Sequence, residues 1–205
     1  MPTVYEDGNY LTEKGRALIA KLMASESEIQ FTRAAVGSGM IPEGKAPKDM
    51  TDLAEWQAPG VISDISTPVP GEAQTVFQVF SRDVEVGFLA SEGAVWAMDP
   101  YEGEILYTYI VIANSPEWIR AASDPVQKFA EFTCINIVGA VKVDITMINP
   151  EAIATLGMMK QRFAAFTELS DAETPGVDTR VHLRVLEQVE EWYETPKDEG
   201  PEDTE

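Results

Sequence analysis

The spacing of apolar residues divides this chain into a helical stretch, a long run of extended segments and a second helical stretch. Over residues 11–24, Leu11, Leu18, Ile19, Leu22 and Met23 recur at helical spacing, Thr12 stands where an N-cap belongs, and Lys and Arg occupy the other face. This predicts an amphipathic helix. Gly15 inside it lowers helix propensity by about 1 kcal/mol relative to Ala and points to close backbone packing at that turn.

Extended segments follow. Residues 29–36 read as a strand ended by Gly37-Ser38-Gly39, residues 40–47 as a loop rich in Gly and Pro, and residues 49–56 as a short helix capped by Asp49 or Thr51. Residues 61–67 predict a strand closed by Pro68 and Pro70. Residues 75–81 and 84–90 predict an antiparallel pair, with Val84, Val86, Phe88 and Ala90 on one face and a turn or bulge at Arg82-Asp83. Residues 94–98 continue the sheet. Residues 105–113 are apolar on both faces and predict a central strand covered on two sides, with Ile105, Tyr107, Tyr109 and Val111 on one face and Leu106, Ile110 and Ile112 on the other. Residues 129–148 contain a strand of clean alternation (Val141, Val143, Ile145 and Met147 inward), with Gly139-Ala140 breaking the run in two.

Past Pro150 the period becomes helical. Ala152, Leu156, Met159, Phe163 and Phe166 are separated by 4, 3, 4 and 3 positions, a heptad-like seam that suits either a partner helix or packing on its own domain. A turn at Thr174-Pro175-Gly176 leads to a second helical pattern over residues 178–194. The architecture expected is therefore α+β: a mostly antiparallel β-sheet or sandwich body with an N-terminal helix over residues 1–149, a helical appendage over 150–195, and an acidic disordered tail over 196–205.

Charge narrows the choice of partners. The 205 residues carry a formal net charge of −20, and 13 acidic against 3 basic residues fall within 168–205, so half of the charge lies at the C-terminal end. Such a balance argues against nucleic acid, whose phosphates call for clustered Lys and Arg, and against an anionic membrane surface. The first residues lack the basic and apolar regions of a signal peptide, and the longest unbroken apolar stretch, residues 109–113, is too short for membrane insertion. Cys134 stands alone, which rules out an intrachain disulfide and suits a small packed hydrophobe.

Candidate chemistry is sparse. With His182 as the single His and Cys134 as the single Cys, no metal or cofactor site is expected, and no Gly-x-Ser-x-Gly elbow or phosphate loop is present. Asp99, Glu102 and Glu104 lie close in sequence to Trp96, Tyr101 and Tyr107. That grouping could line a carboxylate-based glycan hydrolase, but turn chemistry already explains the Asp, Pro and Gly here, which favours a turn whose acids are solvated. Trp96, Tyr101, Tyr107 and Trp118 are the stacking candidates of a carbohydrate-binding, receptor-recognising module.

Three segments carry a resemblance. Leu11-Thr12-Glu13-Lys14-Gly15, then Phe31-Thr32-Arg33-Ala34 running into Gly37-Ser38-Gly39, then Gly87-Phe88-Leu89-Ala90 through Asp99-Pro100-Tyr101-Glu102-Gly103-Glu104-Ile105-Leu106-Tyr107 together resemble the N-terminal domain of tail-fibre and tail-collar-like baseplate proteins of phages and prophages. The resemblance spans about residues 10–149 and departs from the family at Glu117-Trp118-Ile119-Arg120, which lacks an Ile-Pro step. It implies a structural protein of the virion tail, made in the host cytoplasm, that attaches a tail fibre or adaptor to the baseplate and has no catalytic residues. Its implied partners are other baseplate or tail-fibre proteins and further copies of itself. A trimer follows from the resemblance, and the seam Leu156, Met159, Phe163 and Phe166 from the spacing. The alternative is the carbohydrate-binding module placed at the tail tip.

Overall fold

Alternating strand patterns resolve into nine strands and one α-helix in the computed structural model, which describes residues 5–144 and Ala152. In chain order these are β1 (Gly8–Leu11), α1 (Glu13–Ser25), β2 (Phe31–Gly37), β3 (Trp56–Val69), β4 (Glu72–Phe80), β5 (Phe88–Ala90), β6 (Glu92–Asp99), β7 (Gly103–Val111), β8 (Glu117–Ile119) and β9 (Phe129–Ile137). Seven strands form one sheet in the order β1-β7-β6-β2-β3-β4-β9, with every neighbouring pair antiparallel. β5 and β8 form a separate antiparallel ribbon. The expected antiparallel body with an N-terminal helix is thus present. The helical appendage, the acidic tail, and the seam residues Leu156, Met159, Phe163 and Phe166 lie outside the described residues, as do Ile145 and Met147.

The helix is placed by a defect in β7. Along the β6–β7 pair Val95 faces Thr108 but Trp96 faces Leu106, so Tyr107 is an extra residue with no partner on β6. Such a β-bulge reverses the in–out alternation beyond it. Ile105 and Tyr107 enter the main core together with Ile110, whereas Leu106, Tyr109 and Val111 enter a second core on the opposite face. This corrects the expected faces: Tyr109 and Val111 lie with Leu106, not with Ile105 and Tyr107. The bulge also presents two carbonyls to the N-terminus of α1. The Thr12 N–H donates to Tyr107 O at 3.0 Å, its hydroxyl donates to Leu106 O at 2.6 Å, and the same hydroxyl accepts from the Gly15 N–H at 2.9 Å as the N-cap. A Cβ on Gly15 would fall 2.6 Å from Tyr107 O, so the helix can approach this closely only because position 15 is glycine.

The sheet curls enough for β7 to reach β9, five places away in strand order. The Tyr107 hydroxyl donates to Ile137 O, and the Thr108 hydroxyl donates to Asn136 Oδ1 at 2.7 Å. Asn136 is fully buried and its amide donates in turn to Thr75 Oγ1 at 2.9 Å and Ala73 O at 3.3 Å. Cys134 is buried beside it, its thiol donating to Asn136 Oδ1 and pushed up in pKa by burial. Leu18 and Leu22 of α1, Phe31, Phe77 and Tyr107 fill the space between. Phe31 meets Tyr107 edge-on at 5.5 Å and Phe77 stacks on Phe132 at 5.3 Å.

Four further expectations change. Residues 49–56 hold no helix: Pro47–Asp49 make one 3₁₀ turn. Residues 75–81 and 84–90 do not pair. β4 lies between β3 and β9, Ser81–Asp83 form a 3₁₀ turn, and β5 leaves to pair with β8, which puts Val86 in solvent at 73% exposure. β3 is longer than its prolines suggest. Pro59 faces β2 before pairing with β4 begins at Val61, and Pro68 falls in the irregularity between Ser66 and Val69. Within the described part of 129–148 the strand ends at Ile137; Gly139 takes a positive φ there, and Val143 makes only an isolated parallel bridge to Ile29.

Removing the cap and the carbonyl partner together, Thr12→Ala is expected to lose about 2 kcal/mol of stability. Ile110→Ala, which empties a core position, is expected to lose about 2–5 kcal/mol. Urea unfolding of both variants against wild type measures these, and a change under about 0.5 kcal/mol for Ile110 would mean that the face assignment on β7 is wrong.

Candidate functional site

The three acids singled out in the sequence lie on the β6–β7 hairpin, Asp99 and Glu102 sharing one cation and Glu104 held apart by another. Asp99 begins the turn: its Oδ1 accepts from the N–H groups of Tyr101 at 2.8 Å and Glu102 at 3.1 Å, and its Oδ2 accepts from Lys21 of α1. Lys21 also reaches Glu102 at 2.9 Å, and Lys14, two turns earlier on α1, reaches the other Glu102 oxygen at 3.0 Å. Glu104 accepts from the Thr32 hydroxyl and Arg33 Nε, both at 2.6 Å.

Burial alone would raise the Asp99 carboxyl, but Lys21 and the two N–H groups outweigh it and hold the group below the ordinary carboxylate range. Hydrogen bonds from Lys21 and then Lys14 lower Glu102. Glu104 is likewise held down, with Thr32 and Arg33 overcoming the effect of burial. Lys21 is raised by Asp99 first and Glu102 second. All three acids are therefore stabilised as carboxylates, whereas a glycosidic general acid needs one carboxyl raised and protonated.

The aromatic candidates separate into two buried rings and two exposed ones. Trp96 is 3% exposed and its indole is covered by the Arg33 guanidinium at 3.6 Å. Tyr107 is fully buried in the main core. These two rings offer no face to a sugar, which corrects their expected stacking role. Tyr101 is exposed at the hairpin tip near Lys21, and Trp118 is exposed on β8 opposite Leu89 of β5.

Sequence reasoning passed over Glu92, the most buried acid of the described residues at 1% exposure. It accepts from the N–H groups of Gly39 at 3.0 Å, Ala54 at 2.8 Å and Glu55 at 2.7 Å, and from the Tyr109 hydroxyl. A Cβ at Gly39 would lie 2.6 Å from Glu92 Oε1. The carboxylate thus ties together both ends of the loop that carries Met50 and Leu53 over Trp96, Leu106 and Tyr109, closing the second core. Burial, with the Glu92 charge adding to it, pushes the Tyr109 phenol far above its ordinary value. The Gly37-Ser38-Gly39 motif was the one available signal, since two close glycines mark a tight approach without naming what approaches. Among the described residues no group of three or more His, Cys, Asp or Glu is placed to hold a metal ion, and no helix is long and apolar enough to cross a membrane.

Because the Asp99 pKa is lowered by folding, its contribution to stability is present above the ordinary carboxylate value and lost as pH falls through the folded one. Asp99→Asn keeps the turn acceptor and loses the charge. Its melting temperature is expected to lie below wild type at pH 7 and to converge on it below about pH 4. Glu92→Gln, which sets an amide NH₂ among N–H donors, is expected to lose about 1–3 kcal/mol by urea unfolding.

No protein-family model, curated protein or solved structure matches this chain.

Proposed function

We propose that the chain is a structural component of a phage or prophage tail that attaches a fibre or adaptor to the baseplate. One observation supports this reading above others: the three segments on which the resemblance rests bond to one another. Thr12 and Gly15 of the first meet Leu106 and Tyr107 of the third, Lys21 meets Asp99, and Thr32 and Arg33 of the second meet Glu104. Residues of the three segments up to 94 positions apart thus bond to one another, as the parts of one unit would. The polar groups of this network are taken up internally, a use that fits a scaffold better than a catalyst.

Assembly needs a contact surface. The outward side chains of β9 include Ile135 and Ile137 at 47–53% exposure, with Val69 of β3 exposed as well. Apolar residues in such positions suit partner contacts. The proposal takes as its second surface the seam expected from the sequence, Leu156, Met159, Phe163 and Phe166, through which three copies would join.

Light scattering on the full chain at tens of micromolar and about 0.15 M salt is expected to give a trimer that strengthens as added salt screens the acidic residues. Phe163→Asp is expected to give monomers whose β body stays folded. A monomeric wild type under these conditions would refute the seam, and failure to co-purify with baseplate or fibre proteins encoded beside it would refute the attachment role.

A further inference from the structure

A cleft of about 250 Å³ opens where β8 passes the start of β9. It is lined by the buried Ile119, by two exposed rings, Trp118 and Phe129, and by the charged side chains of Glu117, Arg120 and Lys128. Its lining exposes more polar than apolar surface, a make-up that suits a ligand bearing several hydroxyls, and its volume, below the ~300 Å³ at which ordinary ligand pockets begin, limits that ligand to a small one.

The seat of Trp118 decides what such a ligand looks like. The residue is 54% exposed, and a Cβ on Gly87 would fall 2.9 Å from its Cζ2. The indole therefore rests against backbone at a glycine on one side while much of it stays open to solvent. Exposure alone decides nothing, since Trp56 is equally exposed. What sets Trp118 apart is the glycine seat together with a concave site, a second ring and polar groups of both signs. Arg120 lies 3.5 Å from Asp124, which leaves further guanidinium N–H donors, and among the described residues neither Glu117 nor Lys128 has a side-chain partner.

An anionic ligand would meet Glu117 and the net charge of −20, whereas an uncharged ring bearing several hydroxyls uses donors and acceptors alike. We propose that this cleft is a saccharide site in which an uncharged pyranose lays its C–H face on Trp118 and hydrogen-bonds through its hydroxyls to Glu117, Lys128 and Arg120. The site goes beyond the assembly role and stands or falls separately from it.

The test uses the full chain with ¹⁵N label, whose 4 Trp residues give four indole N–H signals, Trp118 being assigned by its loss in Trp118→Ala. Methyl β-glucoside, methyl β-galactoside and the methyl glycoside of N-acetylglucosamine are titrated separately to about 50 mM, well past the millimolar Kd that one sugar ring is expected to show. At least one should shift the Trp118 signal saturably and leave Trp96 unmoved. Trp118→Ala should weaken that binding tenfold or more, read from the sugar's own saturation-transfer signal, with the fold intact by its melting curve. Gly87→Ala, which displaces the indole without removing it, should weaken it as well. Absence of a saturable shift with all three probes, undiminished binding by Trp118→Ala, or a response only to methyl glucuronide or glycerol 3-phosphate overturns the assignment.

Discussion

The extra residue in β7 is the constraint on which the described fold turns. A regular strand over residues 105–111 would send Tyr107 and Tyr109 to the same face. With the bulge, Tyr107 goes to the main core and Tyr109 to the second one. The same three residues then hold both neighbours of the strand in space: Leu106 and Tyr107 offer carbonyls to the start of α1, and Tyr107 and Thr108 offer hydroxyls to Ile137 and Asn136 of β9. Helix, sheet curvature and the division into two cores are therefore not independent features. A change that restored regular pairing at Tyr107 would turn either Tyr107 or Tyr109 to the wrong face and strand Thr12 without its acceptors.

A chain with so many acids shows how differently the same side chain can be used. Glu92 is buried with no cation beside it among the described residues, its carboxylate held by hydrogen bonds from three backbone N–H groups and a phenol. Asp99 has one cation and two N–H groups, and Glu102 has two lysines. Burying a charge is expensive unless hydrogen bonds replace its water, and the number of donors follows burial here. The exposed pair Lys14–Glu102 adds little to stability, as solvent-screened ion pairs do. Glu92 differs, because losing it would leave three loop N–H groups unpaired and uncover the second core.

Local signals in the sequence were sufficient where the structure is local. Thr12 as a cap, Gly15 as a point of close packing, the break at Gly139 and the hairpin at Asp99–Gly103 all follow from residues within one turn of each other. The errors arose where the outcome depends on a distant partner. The apolar alternation over 84–90 is real, but β4 already has β3 on one side and β9 on the other, so β5 had to pair elsewhere. The bulge at Tyr107 leaves no mark in a run that is apolar on both faces, because either register looks buried. Glu92 reads as one more acid among 35 until Gly39, Ala54 and Glu55 are brought to it. Of the aromatic candidates, proximity in sequence grouped Trp96 with Tyr101, while pairing places one under Arg33 and the other in solvent.

Trp96 and Trp118 show where stability stops explaining the molecule. Both sit on strands, and both have a cross-strand neighbour, Leu106 on one side of the first and Leu89 opposite the second. Trp96 is enclosed by a core and a guanidinium, so its burial supplies the hydrophobic stabilisation expected of a large ring. Trp118 gives up much of that benefit. A smaller residue opposite Leu89 would keep the ribbon, and a side chain at position 87 would turn the indole away. Packing requirements thus account for the first tryptophan and do not by themselves account for the exposed face of the second.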